Sequence, residues 1–226
     1  GDRLAETPLK KLDGKQLFVK EIEDALLQNT IDLAVHSAKD LPAILPEGLV
    51  LASVLPREDP RDALVVSKCI KHDPFANARN LAVSLGLSPR VGTSSVRRIA
   101  QLTQLFLTPR FEAIRGNLDT RLRKLDANEY DVLVLATAGI RRLRFPHRIS
   151  AALPVSLCVP APGQGAIAVE SRIDAVQALA AAESTNDTAS MAAVRAERAL
   201  VVALEGGCQL PIGAIAELDG NDLLLQ

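Results

Sequence analysis

The feature that most constrains the fold is an alternation of short apolar runs and helix-like segments over residues 91–136. The run at 130–136 is typical of a fully buried strand, and a shorter apolar run at 111–114 predicts another. Before and between them, apolar residues recur at helical spacing. Strands and helices in alternation favour an α/β fold with a parallel sheet.

Residues 31–42, IDLAVHSAKDLP, change from apolar to polar and mark a candidate site. The apolar run 31–35 predicts a strand buried in a sheet. Four polar residues follow at its carboxyl end: His36, Ser37, Lys39 and Asp40. Ligands bind at this end of the strands in open α/β sheets, although an ordinary polar turn gives the same pattern. Residues 11–29 have apolar side chains at helical spacing, which predicts an amphipathic helix before the strand.

Residues 91–103 predict a helix that begins after Gly92 and three hydroxyl residues. Ser94 or Ser95 is a natural N-cap, and the amino end of a helix attracts anions. The predicted apolar face consists of Val96, Ile99, Ala100 and Thr103. Arg97 and Arg98 then point away from that face, toward water or a cleft.

A second helix is predicted after Arg115 and Gly116, with Asn117 as its N-cap. Its apolar line is formed by leucines at positions 118, 122 and 125. Arg121 lies about 60° from the centre of that line, so we expect it at a half-buried edge. Arg123 lies well round toward solvent.

The formal net charge of −1 conceals a basic segment. Residues 90–148 contain eleven Arg and one Lys against five acidic residues, a net charge of +7. Such a segment suits an anionic partner. Nucleic acid is disfavoured as that partner because aromatic residues make up only 3% of the chain and there is no Trp.

Composition and cysteine spacing exclude several further classes. Nearly half the residues are hydrophobic (48%), as in a soluble globular protein, and no apolar run reaches the roughly 18 residues of a membrane helix. Cys69, Cys158 and Cys208 are far apart, which argues against a zinc site or a disulfide scaffold, and no metal is expected. We expect a cytoplasmic protein, or an organellar one if a targeting segment has been lost.

Cys208 follows two glycines at the end of a long helix predicted at 188–204. Paired glycines let a loop present a side chain in an otherwise strained conformation. This cysteine is therefore either an incidental exposed thiol or an attachment point. A strand at 212–218 is predicted after it, with a turn at 219–221.

Seven runs, in order along the chain, resemble the porphobilinogen deaminase (hydroxymethylbilane synthase) family. They are HSAKDLP (36–42), REDPRDA (57–63), VGTSSVRR (91–98), RGNLDTRLRKLD (115–126), PGQGAIAVE (162–170), AERAL (196–200) and LEGGCQLPIG (204–213). The resemblance implies a transferase of tetrapyrrole (heme and chlorophyll) biosynthesis. It would deaminate four porphobilinogen molecules and join them head to tail into hydroxymethylbilane, primed by a dipyrromethane cofactor on a thioether to Cys208.

The resemblance also implies an α/β fold of two periplasmic-binding-protein-like lobes, joined by hinge crossings, with a small α+β domain. The expected first lobe comprises 1–56 and 166–183, and the second 61–159. Residues 188–226 would form the start of the C-terminal domain, with the cofactor cysteine loop. The family's N-terminal strand and most of its third domain are expected to lie outside this sequence.

The resemblance assigns site residues one by one. Asp40 matches the catalytic aspartate. The implied cofactor-binding residues are Cys208, Lys39, Lys15, Asp2, Ser95, Arg97, Arg98, Arg115 and Gly116. The implied substrate-binding residues are Arg121, Lys11, Arg57, Phe18 and Gln164. Because each pyrrole carries an acetate and a propionate, guanidinium groups suit the growing chain.

Two other classes of function remain open. A non-catalytic, two-lobed anion-binding protein would explain the arginines but gives Cys208 no purpose. A nucleic-acid binder rests only on the basic segment. The expected partner is instead the small molecule porphobilinogen, with neither nucleic acid nor membrane, and the expected state is a monomer.

Overall fold

A computed structural model describes residues 14–70, 73, 76–204 and 210–226. These residues form two compact units. Unit 1 contains the described residues of 14–58, 161–204 and 214–226, and unit 2 contains those of 59–160 and 210–213. Helices in this part of the chain lack the length and hydropathy needed to span a membrane.

The described helices and strands follow the predicted alternation. The strands are β1 (Leu33–Ser37), β2 (Leu49–Val54), β3 (Asp62–Val66), β4 (Arg90–Gly92), β5 (Arg110–Glu112), β6 (Val132–Ala136), β7 (Ala151–Ala152), β8 (Ile167–Arg172), β9 (Ala216–Asp219) and β10 (Asp222–Leu225). The helices are α1 (Gly14–Leu27), α2 (Ala78–Ser84), α3 (Val96–Leu102), α4 (Leu118–Asp126), α5 (Thr137–Arg142), α6 (Val176–Glu183) and α7 (Thr188–Ala203). The predicted α/β class is confirmed.

The main sheet of unit 1 has the order β1-β8-β2, and both pairings are antiparallel. Strand β8 starts beside the end of β1, with Ile167 opposite Ser37. Parallel pairing was predicted for residues 91–136, where β4, β5 and β6 confirm it. The prediction that β1 is buried is wrong in part. Val35 is 67% exposed, whereas Ala34 and His36 point into the core.

The core of unit 1 forms where the sheet meets helices α1 and α7. Its largest cluster of buried side chains consists of Val19, Ala38, Leu41, Val54, Ala166, Ala168, Met191 and Val194. Ala38 belongs both to this core and to the turn that follows β1. The packing of that turn is therefore tied to the core.

Unit 2 contains a mixed sheet of order β5-β4-β6-β3-β7. Strand β4 is parallel to β5 and β6, whereas β3 is antiparallel to β6 and β7. Every residue of β3 is buried, with Ala63 and Val65 in one cluster and Leu64 and Val66 in another. A core on both faces explains the continuous apolar runs of β3 and β6.

The predicted N-caps of α3 and α4 are both confirmed. The Ser95 side chain accepts a hydrogen bond from the Arg98 N–H, and the Asn117 side chain accepts one from the Thr120 N–H. Helix α4 also buries the predicted leucine line. The predicted face of α3 is wrong, since Val96 is exposed.

The C-terminal residues form the predicted long helix, α7, and the hairpin β9–β10. The hairpin turns at Gly220, whose φ of +60° suits glycine. Helix α7 and the hairpin group with unit 1, and residues 210–213 group with unit 2. The division into units does not set 188–226 apart.

Candidate active site and anion-binding residues

Asp40 lies on a short 3₁₀ turn, Ala38–Asp40, which directly continues β1. Its side chain is half-buried. Leu41, which precedes Pro42, is extended, as a residue before proline prefers. The sequence thus places the candidate catalytic carboxylate at a strand end whose backbone changes direction over three residues.

Gly163 packs directly against the backbone of this turn. Its φ is +73°, and a Cβ at this position would lie 2.8 Å from the carbonyl carbon of Ala38 and 2.9 Å from the nitrogen of Lys39. A side chain would therefore collide with backbone atoms, which cannot move aside as a flexible side chain can. Only glycine permits this close contact.

Two predicted binding residues meet at the same turn. The Lys39 ammonium donates a hydrogen bond to Oε1 of Gln164 at 3.4 Å. Gln164 is almost completely buried, although it was predicted to contact substrate. Its position next to Gly163 makes it part of the support beneath the Asp40 turn.

Glu197 joins three separate segments of unit 1. Its carboxylate binds the Arg57 guanidinium through two hydrogen bonds, of 2.6 and 3.2 Å. It also accepts hydrogen bonds from the backbone N–H groups of Gly163 at 2.6 Å and Ala216 at 2.7 Å. Arg57 in turn donates from Nε to the carbonyl of Gln164. The guanidinium predicted to bind substrate is therefore engaged inside the protein.

In unit 2, Arg97 and Arg98 share one buried carboxylate, Asp62. Arg97 donates to Asp62 Oδ2 at 2.7 Å, and Arg98 donates to Oδ1 at 2.7 and 3.2 Å. The arginines are only 4% and 8% exposed, so the expectation that they face water or a cleft is wrong. The ion pairs with Asp62 therefore bury the side of α3 that carries Arg97 and Arg98.

The charges of this cluster set the pKa values of its members. Burial alone would raise the pKa of Asp62, but the charges of Arg98 and Arg97 and their hydrogen bonds lower it to about 2. Cys158 lies 3.4 Å from both Asp62 and Arg97. Burial and the Asp62 charge raise the pKa of this thiol to about 11, which makes it a poor nucleophile at neutral pH.

Arg121 is the described guanidinium best suited to an external anion. Its Nε donates to the carbonyl of Gly116 at 2.8 Å, and no carboxylate of the described residues forms an ion pair with it. Burial lowers its pKa, and the positive charge of Arg98 lowers it further. Its predicted half-buried position is confirmed. A half-buried cation beside another cation attracts an anionic ligand.

Gly116 and Arg115 lie at the start of the same helix. Gly116 has φ +105°, and a Cβ there would lie 2.7 Å from the Thr120 side chain, so this turn requires glycine. Arg115 is exposed. Ser95, as the cap of α3, is half-buried.

Several predicted site residues cannot be placed. Asp2, Lys11 and Cys208 lie outside the described residues, and so do the side chains of Lys15 and Phe18 on α1. Their roles stay predictions, as do those of the residues placed above. Among the described residues there is no group of three side chains able to hold a metal ion.

Sequence reasoning missed Asp62 and Glu197, the two carboxylates that bind the predicted arginines. Asp62 comes directly before the apolar residues 63–66, and Glu197 lies on an alanine-rich helix. Each carried a signal, because an acidic residue next to a buried run usually needs a partner. Neither signal identifies the arginine that binds each carboxylate.

These features define a mixed α/β protein whose unit 2 is suited to an anionic ligand. A family model described as "Porphobilinogen deaminase, dipyromethane cofactor binding domain" matches residues 1–180, and one described as "Porphobilinogen deaminase, C-terminal domain" matches 191–226. The chain belongs to the porphobilinogen deaminase family.

Relatives named porphobilinogen deaminase align over the whole chain. The one from Geotalea uraniireducens is 46% identical over 225 residues, which is 100% of this chain and 67% of the relative. The one from Syntrophobacter fumaroxidans is 45% identical over 100% of this chain and 70% of the relative.

Solved structures with a similar backbone include two periplasmic proteins. One is the VFT2 domain of BvgS from Bordetella pertussis, with 17% identity, coverage of 82% of this chain and 72% of that chain, and a TM-score of 0.39. The other is a TRAP periplasmic solute binding protein from Desulfovibrio salexigens with bound orotic acid. Its identity is 13%, its coverage 82% and 67%, and its TM-score 0.40.

The described residues fit the dipyrromethane for which the family domain is named. Its pyrrole rings carry carboxylates, so it requires cations that are not already neutralised. Arg121 meets this requirement, because it is half-buried and forms no ion pair with a carboxylate of the described residues. The fit rests on this charge, since Cys208 lies outside the described residues.

Proposed function

We propose that this protein deaminates porphobilinogen and joins four molecules head to tail into hydroxymethylbilane, with release of ammonia, in tetrapyrrole biosynthesis. Family membership over the whole chain supports this reaction. The single structural observation that carries it is the Asp40 carboxylate on a turn that Gly163 holds by backbone contact. Such a turn fixes the position of a charge before the substrate arrives.

Asp40 acts on the charge that develops during deamination. The bond between the aminomethyl carbon and nitrogen breaks, the electron pair leaves with nitrogen as ammonia, and positive charge spreads over the substrate pyrrole. An ionised carboxylate beside the pyrrole N–H stabilises that charge. A preorganised group of this kind contributes roughly 10²–10³ in rate.

Cationic residues orient the substrate through its acetate and propionate groups. Arg121 binds a substrate carboxylate, with Lys11, Arg57, Phe18 and Gln164 as the further substrate-binding residues. Arg57 and Gln164 also support the Asp40 turn, through their contacts with Glu197 and Lys39. The absence of a carboxylate partner at Arg121 among the described residues supports its role.

The cofactor-binding residues are Cys208, Lys39, Lys15, Asp2, Ser95, Arg97, Arg98, Arg115 and Gly116. When bound, dipyrromethane supplies the pyrrole carbon to which the chain is added. In this set Arg97 and Arg98 also neutralise Asp62. Their remaining positive charge, two guanidiniums against one carboxylate, favours an anionic group nearby.

Substitution of the proposed catalytic carboxylate tests the function. Asp40→Asn in the full-length protein should keep the fold and lower kcat by at least about 100-fold, because the amide cannot stabilise positive charge. Asp32→Asn, one strand-length away and largely exposed, is the control and should keep normal turnover. Near-normal turnover in Asp40→Asn would contradict the role of Asp40.

Intact mass separates the enzyme from a non-catalytic anion-binding protein. The enzyme carries the added mass of a dipyrromethane, and Cys208→Ser removes it. An unmodified wild-type protein that still binds carboxylated ligands would instead support the binding protein. We further propose that the protein is a cytoplasmic monomer that binds no nucleic acid, which cell fractionation, light scattering and a binding titration would test.

A further inference from the structure

Unit 1 contains a cluster of charged side chains close to the strand end that leads into the Asp40 turn, and the proposed mechanism does not use it. It consists of His36 on β1, Glu170 on β8, Glu23 on α1 and Arg198 on α7, and we name it the His36 cluster. His36 Nε2 lies 3.2 Å from Glu170 Oε2. His36, Glu170 and Glu23 are buried, and Arg198 is half-buried.

The strand register explains why the cluster forms. His36 lies opposite Ala168, and Glu170 lies opposite Ala34, so the two side chains occupy diagonal positions on one face of the β1–β8 pair. Alanine at both opposite positions leaves room for the larger side chains. Helices α1 and α7 add Glu23 and Arg198.

The acidic members of the cluster are short of hydrogen-bond donors. Among the described residues, none donates a hydrogen bond to either oxygen of Glu170 or to Oε1 of Glu23, and Nε2 of His36, although close to Glu170, has no hydrogen-bond partner either. Burial raises the pKa of Glu23, the Glu170 and Asp24 charges raise it further, and His36 opposes them. Arg198 donates one N–H to the Ala43 carbonyl. Burial lowers the pKa of Arg198, and the negative charge of Glu170 opposes this by raising it.

Buried carboxylates without donors are costly unless a cation lies beside them. Two groups of the cluster act on Glu170: His36, whose Nε2 lies 3.2 Å from Oε2, and Arg198, whose charge acts on the same carboxylate. The His36–Glu170 contact therefore ties the end of β1 to β8.

We infer that His36 is a positioning residue for Asp40, and this inference rests on the proposed function. His36 contacts Glu170 and fixes the end of β1 that leads through Ser37 into the Asp40 turn. The coupling is short: Ala38 donates a backbone hydrogen bond to Ala166, two residues before the partner of His36 in β8. Removal of the imidazole leaves the buried Glu170 without this contact and loosens this strand end.

The test measures kcat and KM of the full-length holoenzyme, of His36→Gln and of Glu170→Gln. Each variant should lower kcat by about 10- to 100-fold, the loss expected when a catalytic group is displaced. Because the substrate-binding cations are untouched, KM should change less than twofold. His147→Gln, at an exposed histidine, is the control and should match wild type.

A purely structural role predicts a different outcome. In that case His36→Gln would lower thermal stability but keep the wild-type kcat at temperatures at which it is folded, and the inference would be overturned. A double variant of His36 and Glu170 should lose little more than either single variant, because both act through one pair.

Glu170→Gln covers the case in which His36→Gln fails to fold, because it changes the same contact from the other strand. A wild-type kcat in folded Glu170→Gln overturns the inference. Absence of deaminase activity in wild type would overturn the proposed function instead, whatever the effect of the variants.

Discussion

The substitution Asp62→Asn tests the buried ion pairs that Asp62 forms in unit 2. The carboxylate is fully buried, and it is shared by Arg97 and Arg98. Its pKa is lowered from 3.8 to about 2 against the opposing effect of burial, a difference equivalent to about 2 kcal/mol in free energy of unfolding. Removing one partner of a buried ion pair usually costs about 3–5 kcal/mol, because the charge left behind has no partner. We therefore expect Asp62→Asn to lower the free energy of unfolding by about 3 kcal/mol or more.

Urea denaturation at pH 7 followed by circular dichroism measures this loss, and amide hydrogen exchange of β3 assigns it to unit 2. Asp131→Asn is the matched control. Asp131 also binds an arginine guanidinium through two hydrogen bonds, besides one from the Arg90 backbone N–H, but both side chains of that pair are about a quarter exposed (27% for Arg90 and 25% for Asp131). The control should lose about 1 kcal/mol or less.

The pH dependence supplies an independent check of sign. Because folding lowers the pKa of Asp62, its stabilisation is fully present above pH 3.8 and is lost as pH falls toward 2. Wild type should therefore lose stability in this range more steeply than Asp62→Asn. Equal losses at pH 7 in Asp62→Asn and Asp131→Asn, or parallel acid limbs, would refute the reasoning.

Three further substitutions test the site. Gly163→Ala should cost about 1–3 kcal/mol and reduce kcat, because it places a Cβ at positive φ only 2.8 Å from the backbone of the catalytic turn; denaturation and initial rates measure both. Glu197→Gln should cost about 3 kcal/mol because it leaves the half-buried Arg57 without a charged partner, and an unchanged urea midpoint would contradict this. Arg121→Leu should stall assembly at a particular chain length, visible by mass spectrometry of the reaction, whereas the exposed Arg123→Leu should behave as wild type.

The sequence by itself determined the features that depend on neighbours in the chain. Both N-caps, Ser95 and Asn117, were predictable because a cap is a hydrogen bond to a residue three positions away. The leucine line of α4 and the buried strand β6 were predictable from periodicity, which records how much of a segment is covered. The strand that leads into Asp40 was predictable as a strand, although its predicted burial was wrong in part.

Only the tertiary structure decided which groups meet. Periodicity does not encode strand direction, so the antiparallel pairing of β8 with β1 and β2 was invisible in the sequence. Apolar spacing predicted the wrong face of α3, because one buried carboxylate 35 residues away from Arg97 holds the arginine side inward. Leaving a buried charge without a partner costs more free energy than leaving the Val96 side chain exposed to solvent. That partner comes from another strand, and only the folded chain brings it there.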